Sequence, residues 1–260
     1  MELRALGDTG IRVSPLGLGT VKIGRNQQVK YPQGFELPDD GRVRELLTLA
    51  RELGINLIDT APAYGTSQER LGRLLPGPRD AWVIVSKVGE IFEDGRSRFD
   101  FSHDFTIASV ESSLRALRTD YLDCVLIHSN GEDLRILREE GVVDALELLK
   151  EKGWIRSHGI SSKTVEGGLE AVRRLDVVMA TANPEYDEER PVFEAAAAAG
   201  KGVLVKKGLS SGHVRGIDGV RAAMAHVFSL PGVSALIVGT IDPGHLRQNA
   251  ALVESVLSRG

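Results

Sequence analysis

Eight apolar runs of strand length recur along this chain, and each is separated from the next by a stretch with helical periodicity. They occupy residues 16–20, 55–60, 81–87, 122–128, 155–161, 177–183, 202–207 and 235–240. Most are continuous rather than alternating, as in Trp82-Val83-Ile84-Val85 and Ala235-Leu236-Ile237-Val238. A strand with no polar face is covered on both sides, the condition of parallel strands with helices outside. Between the runs, Val43, Leu46, Leu47, Ala50 and Leu53 repeat at helical spacing, as do Ile107, Val110, Leu114 and Leu117. Further helices are expected at 142–152, 165–174, 191–199 and 219–228. Thr66 and Glu69 have capping-box spacing, and Asp242-Pro243 reads as N-cap and first-turn proline of a last helix carrying Leu246, Ala250, Val253 and Leu257. Strict β/α alternation implies right-handed crossovers and a parallel sheet, and eight such units close a (β/α)8 barrel of the TIM type. With 260 residues the chain is the size of one such domain, so residues 1–260 are read as a single α/β barrel.

Two features lie outside the repeat. Residues 3–6 and 11–13 flank the turn-rich Gly7-Asp8-Thr9-Gly10, which predicts a short N-terminal β-hairpin capping the bottom of the barrel. Residues 22–40 and 88–104 read as unusually long loops, and both follow strands, so they open onto the face where barrel active sites are built.

Composition excludes several classes. Lys and Arg total 32 against 36 Asp and Glu, a net charge of −4 with no field to hold a nucleic acid. No apolar stretch approaches the roughly 20 residues needed to span a bilayer, and residues 1–8 contain no apolar leader segment. A single cysteine, Cys124, can form neither an internal disulfide nor a thiolate metal cluster, so a reducing cytoplasm is expected and no metal site is.

Chemistry is sought where strands end. The second run exits through Asp59-Thr60-Ala61-Pro62-Ala63-Tyr64, the third ends at Lys87 and the fourth at His128. Singly, each has an ordinary structural explanation; together, on three adjacent strands, they form a constellation. A phenol with an unperturbed pKa of about 10 exchanges protons poorly near neutrality unless a cation stabilises its phenolate. Lys87 can supply that cation and Asp59 can hold it, while His128 can offer a hydrogen bond to a substrate oxygen.

At these residues the chain resembles the aldo-keto reductase family. The stretch Gly54-Ile55-Asn56-Leu57-Ile58-Asp59-Thr60-Ala61-Pro62-Ala63-Tyr64-Gly65 is similar to that family's first signature, with Glu69, Leu71 and Gly72 following. Residues 109–117, from Ser109 to Leu117, continue through Asp120 to Asp123 into His128 and resemble the second. The resemblance runs from Pro15-Leu16-Gly17-Leu18-Gly19-Thr20 to His245-Leu246-Arg247-Gln248-Asn249. It implies Tyr64 as general acid, Lys87 and Asp59 as its partners and His128 as orienting group, in the reduction of a small carbonyl substrate with a nicotinamide dinucleotide.

The chain lacks a Gly-x-Gly-x-x-Gly turn, so the dinucleotide would lie across the barrel mouth. The resemblance implies that Thr20 and Val21, beside Asp59, touch the nicotinamide end. It implies Asn183 and Ser161 at the carboxamide, where Ser162 stands in place of the family's usual asparagine. Lys206, which replaces a stacking aromatic, begins a stretch of cations, hydroxyls and small residues through Leu209 and Ser211, suited to a pyrophosphate. Gly239, Thr240 and the amides opening the last helix are placed for the adenosine half. There Gly239 and His245 replace a lysine and an arginine common in NADPH-strict members, while Arg247, Gln248 and Asn249 remain compatible with adenosine contacts. NADPH is favoured, and NADH is left open. Two other readings stand beside this one: a Schiff-base lyase or aldolase using Lys87, and a nucleotide-sensing subunit docking on other proteins. No sequence feature marks an obligate protein partner.

Overall fold

The computed structural model describes residues 1–29, 31–214 and 216–258. Strands β1 (Arg4–Ala5) and β2 (Arg12–Val13) form an antiparallel hairpin. Then come β3 (Leu16–Gly19), β4 (Leu57–Asp59) and β5 (Val83–Val88), a second antiparallel hairpin of β6 (Glu90–Glu93) and β7 (Arg96–Phe99), and β8 (Leu122–His128). The last four strands are β9 (Ile155–Ser161), β10 (Val177–Thr181), β11 (Gly202–Lys206) and β12 (Val233–Gly239). All strands except the two hairpins pair in parallel and close into an eight-stranded barrel, with β12 against β3.

Helices intervene where the periodicity and start signals predicted them, and two that the sequence reading did not include, at Val21–Gly24 and Asp133–Glu139, are added. After β3 come the short α1 (Val21–Gly24) and α2 (Asp40–Glu52); α3 (Ser67–Leu74) follows β4 and α4 (His103–Leu117) follows β7. Both α5 (Asp133–Glu139) and α6 (Val142–Glu151) lie between β8 and β9, and α7 (Val165–Arg174), α8 (Arg190–Ala198), α9 (Gly216–Ser229) and α10 (Pro243–Leu257) complete the repeat.

The N-terminal hairpin caps the barrel floor. Its Leu6, Ile11 and Val13 are buried with Leu57, Val85, Cys124, Leu126, Met179 and Leu204 in the barrel's interior cluster. At Gly202 a Cβ would lie 2.8 Å from the Leu6 side chain, so the floor and the plug are in close contact.

Three expectations need correction. Residues 88–104 are no irregular loop: Asp94 and Gly95 take φ of 51° and 74°, so this Asp-Gly pair turns β6 back onto β7. Thr66 precedes α3 without donating or accepting a capping bond through its side chain, because its backbone is already near-helical (φ −82°, ψ 8°). The apolar run 81–87 starts late, since residues Arg79–Ala81 form a 3-10 turn that leads into β5. The other long loop, 22–40, does contain the one-turn α1; Lys30 within it lies outside the described residues.

Candidate active site

The strand register sets the site. Asp59 lies beside Gly19, which lies beside Gly239, and His128 lies beside Ser161, so the strand ends reach one level around the mouth. Tyr64 is carried just above by the 3-10 turn Pro62–Tyr64. That turn is locked from below: Gly65, at φ 60°, and Gly24 of α1 pack backbone to backbone, where a Cβ on either would collide with the other segment.

Three of the expected catalytic groups meet directly. Lys87 Nζ donates to Asp59 Oδ1 at 2.5 Å and to the Thr60 carbonyl at 3.0 Å, with Lys87 only 2% exposed. The same Nζ lies 4.8 Å from the centre of the Tyr64 ring. His128 presents its ring edge-on to Tyr64, centre to centre 6.2 Å. Burial would lower the Lys87 pKa, but the charge of Asp59 and the Tyr64 phenol outweigh it and the pKa is raised. Burial dominates at Tyr64, whose pKa is pushed up to about 12 despite the Lys87 cation. The expectation of a phenol brought down toward neutrality is therefore corrected. The cation opposes the desolvation of the phenolate without cancelling it.

Around this centre lie the residues expected at the cofactor. Thr20 is fully buried and its hydroxyl donates to the Asp59 carbonyl at 2.9 Å while accepting from Ser67, which ties β3 to β4. Val21 begins α1 beside it and is half-buried. Lys206 Nζ reaches across to donate to Ser161 Oγ at 2.9 Å and to the Ser162 carbonyl at 2.5 Å. Burial pulls the Lys206 pKa down to about 8, opposed by Glu189. Two hydroxyl-bearing residues expected at a carboxamide are thus already engaged by the lysine that replaces the aromatic. Asn183 accepts from Glu185 N at 3.0 Å and donates to the Lys207 carbonyl at 3.3 Å, closing a turn with Tyr186.

Leu209 and Ser211 lie half-buried in the loop after β11. Within this loop Lys207, Ser210 and Ser211 all take left-handed φ, of 57°, 47° and 56°. Such clustered strain in non-glycine residues is held only where the surroundings impose it, and here the turn closes on itself, with the Ser210, Gly212 and His213 amides donating to the Lys207, Leu209 and Ser210 carbonyls. On the last unit, Thr240 is buried, Asn249 is buried, and His245, Arg247 and Gln248 are exposed. The α10 amides are not open as expected: Asp242 accepts from Gly244 N at 2.6 Å and from His245 N at 3.1 Å. The cap residue's own carboxylate satisfies two of the donors that an incoming anion would use.

Three side chains escaped the sequence reading. Glu90 places Oε2 2.7 Å from His128 Nδ1. Arg25 stacks over Phe92, 3.4 Å to the ring centre, and donates to the Ala63 carbonyl beside the Tyr64 turn. Tyr31 packs under the Lys22 ammonium at 4.0 Å, and its hydroxyl is 2.8 Å from where a Cβ on Gly239 would sit. Burial, with the Tyr64 and Asp59 charges, raises the Tyr31 pKa to about 12. Asp94-Gly95 was a signal for the hairpin that carries Glu90; nothing local marks Tyr31. Among the described residues no cluster of metal-ligating side chains exists, and no helix is long and apolar enough to cross a membrane.

Comparison with known proteins gives a consistent pattern. The aldo/keto reductase family model matches residues 15–219. A crystal structure from Pseudomonas aeruginosa, assigned to the aldo-keto reductases, superimposes with a TM-score of 0.90 at 55% identity, covering 98% of this chain and 96% of that one. The methylglyoxal reductase YeaE of Escherichia coli is 32% identical over 233 residues, 80% of this chain and 77% of its own. D-arabinose 1-dehydrogenase of Saccharomyces cerevisiae is 36% identical over 162 residues, 59% of this chain and 44% of that protein. The chain spans about half the length of several of the curated relatives it matches.

Proposed function

The chain belongs to the aldo/keto reductase family, and we propose that it reduces the carbonyl of a small aldehyde or ketone to an alcohol, with Tyr64 as the proton donor. The observation that carries this reading is the buried Asp59–Lys87 pair, 2.5 Å long, set against the Tyr64 phenol at the C-terminal rim of the barrel. The nicotinamide dinucleotide used by this family supplies the hydride. A phenol held at about 12 is no impediment, because the alkoxide left by hydride addition is a far stronger base than a phenolate and takes the proton. Lys87 then steadies the phenolate, and Asp59 keeps Lys87 charged and in place. A lysine kept charged by a carboxylate suits a Schiff base poorly, which counts against the lyase reading.

The residues at the mouth suit a dinucleotide. The left-handed backbone at Lys207, Ser210 and Ser211, with two hydroxyls and two lysines nearby, would hold a pyrophosphate, and Thr240, Arg247, Gln248 and Asn249 would face the adenosine half. We place NADPH ahead of NADH, with Arg247 as the cation for the 2′-phosphate. Asp242, whose carboxylate caps the same helix, would repel that phosphate, so the preference stays within roughly 10- to 150-fold, the worth of one hydrogen bond to a charged group. Asp242→Asn retains a capping oxygen and removes the charge, and it should tighten NADPH relative to NADH when both are titrated by calorimetry. An unchanged ratio would place the phosphate away from this helix. A buried, unbridged Cys124 supports residence in a reducing cytoplasm.

Tyr64→Phe is the direct test. It should retain cofactor binding and lose about 10²–10⁴-fold in kcat on small aldehydes, the usual share of acid catalysis. Reduction at the wild-type rate would remove Tyr64 from the role.

A further inference from the structure

Glu90 opens β6 immediately after the strand that carries Lys87, and its side chain is 11% exposed. One carboxylate oxygen accepts from the Ser97 hydroxyl across the hairpin at 2.6 Å, and the Arg25 guanidinium lies 3.8 Å away. The other oxygen is 2.7 Å from His128 Nδ1, close although not in line for a straight hydrogen bond. Among the described residues Nδ1 meets no other acceptor or donor. The charged and titratable groups around the ring come from several elements. They are Glu90 on β6, Lys87 on β5, Lys206 on β11 and the Tyr64 phenol on the turn after β4, with Asp59 behind Lys87 and Arg25 behind Glu90.

Two physical facts set the ring's protons. Burial would raise Glu90, but His128, Ser97 and Arg25 bring its pKa down to about 2, so it is ionised throughout the working range. An ionised carboxylate only accepts hydrogen bonds, so the nitrogen facing it must carry the proton. The other nitrogen, Nε2, is then bare in the neutral ring and protonated only in the imidazolium.

Taking the site as that of a carbonyl reductase, we propose that Glu90 is a positioning residue that holds His128 in its Nδ1–H form, so that Nε2 can donate to a carbonyl oxygen only when the ring is protonated. Neutral His128 instead offers a lone pair, which suits the hydroxyl of the alcohol. The proton that ends on the product oxygen remains that of Tyr64, and His128 contributes a hydrogen bond without entering the stoichiometry. Burial and the Lys87 and Lys206 cations keep the ring's pKa below its ordinary 6.5, with Glu90 opposing them. Reduction by the wild-type protein should therefore decline as pH rises through a titration on the acid side of 6.5. The decline should amount to roughly 10- to 150-fold, the worth of a hydrogen bond to a charged group.

The test uses the full chain with NADPH and a small aldehyde. Glu90→Gln presents an amide that can donate to Nδ1, which releases the proton to Nε2 in the neutral ring. Its reductive kcat/KM should stay flat where the wild-type value falls, and Glu90→Asp should restore the fall. In 15N-labelled wild-type protein, two-bond proton–nitrogen correlation, with His128→Asn identifying the signal, should show Nδ1 protonated and Nε2 bare at pH 8. A neutral Nε2–H ring in the wild type, or a Glu90→Gln profile that superimposes on the wild-type one, overturns the proposal. The tautomer measurement needs no variant of Glu90, so a misfolded Glu90→Gln leaves it decisive. If Tyr64→Phe is inactive while Glu90→Gln behaves as wild type, the reductase reading stands and this inference fails; if Tyr64→Phe is fully active, the reductase reading itself fails.

Discussion

Lys87 and Asp59 are both almost fully buried, and neither charge is tolerable there without the other. Removing one partner of a buried pair leaves an uncompensated charge and costs about 3–5 kcal/mol. Lys87→Met should thus lower Tm and, by withdrawing the countercharge of the phenolate, cut turnover by about 10²–10⁴-fold. The double variant Asp59→Asn/Lys87→Met removes both charges and should recover most of the Tm without recovering turnover. Calorimetry and steady-state rates together check this, and recovery of both would make the pair structural only. Glu90 has a pH signature of its own. Its pKa is depressed in the folded protein, so its contribution to stability is present above about 4.5 and is lost as pH falls toward 2. Glu90→Gln should lose that part of the acid slope in a urea titration series.

At the scale of elements, the β6–β7 hairpin matters because it brings a carboxylate to the histidine. Its docking depends on Gly89, which has φ of 103° and packs against the Phe101 ring so closely that any Cβ would strike it. Gly89→Ala combines a left-handed penalty with overpacking, each of about 1–3 kcal/mol. It should lower Tm and displace the hairpin, reproducing the flat pH profile of Glu90→Gln while leaving Glu90 in the sequence. A normal Tm with a wild-type profile would show that the hairpin tolerates the methyl group.

Across the whole molecule the two ends of the barrel have separate tasks. The mouth holds the titratable groups at the strand ends, and the floor is sealed by the hydrophobic hairpin through Leu6, Ile11 and Val13. Leu6 is completely buried, so Leu6→Ala should cost about 2–5 kcal/mol by transfer and cavity terms. Because the cavity opens at the floor, kcat at 25 °C should be unchanged while Tm falls. A variant that lost activity in proportion to stability would show the two ends to be coupled.

The eight-fold alternation determined the barrel by itself, because continuous apolar runs can be buried on both faces only in a parallel sheet wrapped by helices. With it came the rim positions of Asp59, Lys87 and His128, since a polar residue that ends a buried strand has only the mouth to occupy. Asp242 as a helix cap was equally local, a matter of a carboxylate two and three residues from the amides it accepts. Other features depended on contacts across the fold. The meeting of Glu90 with His128 joins residues 38 apart through a hairpin docked on a neighbouring strand. Tyr31 reaches Gly239 from a loop with no periodicity, and Lys206 reaches Ser161 across a strand between them. The Tyr64 pKa depended on how far water is excluded, and only the assembled mouth decides that desolvation outweighs the Lys87 charge.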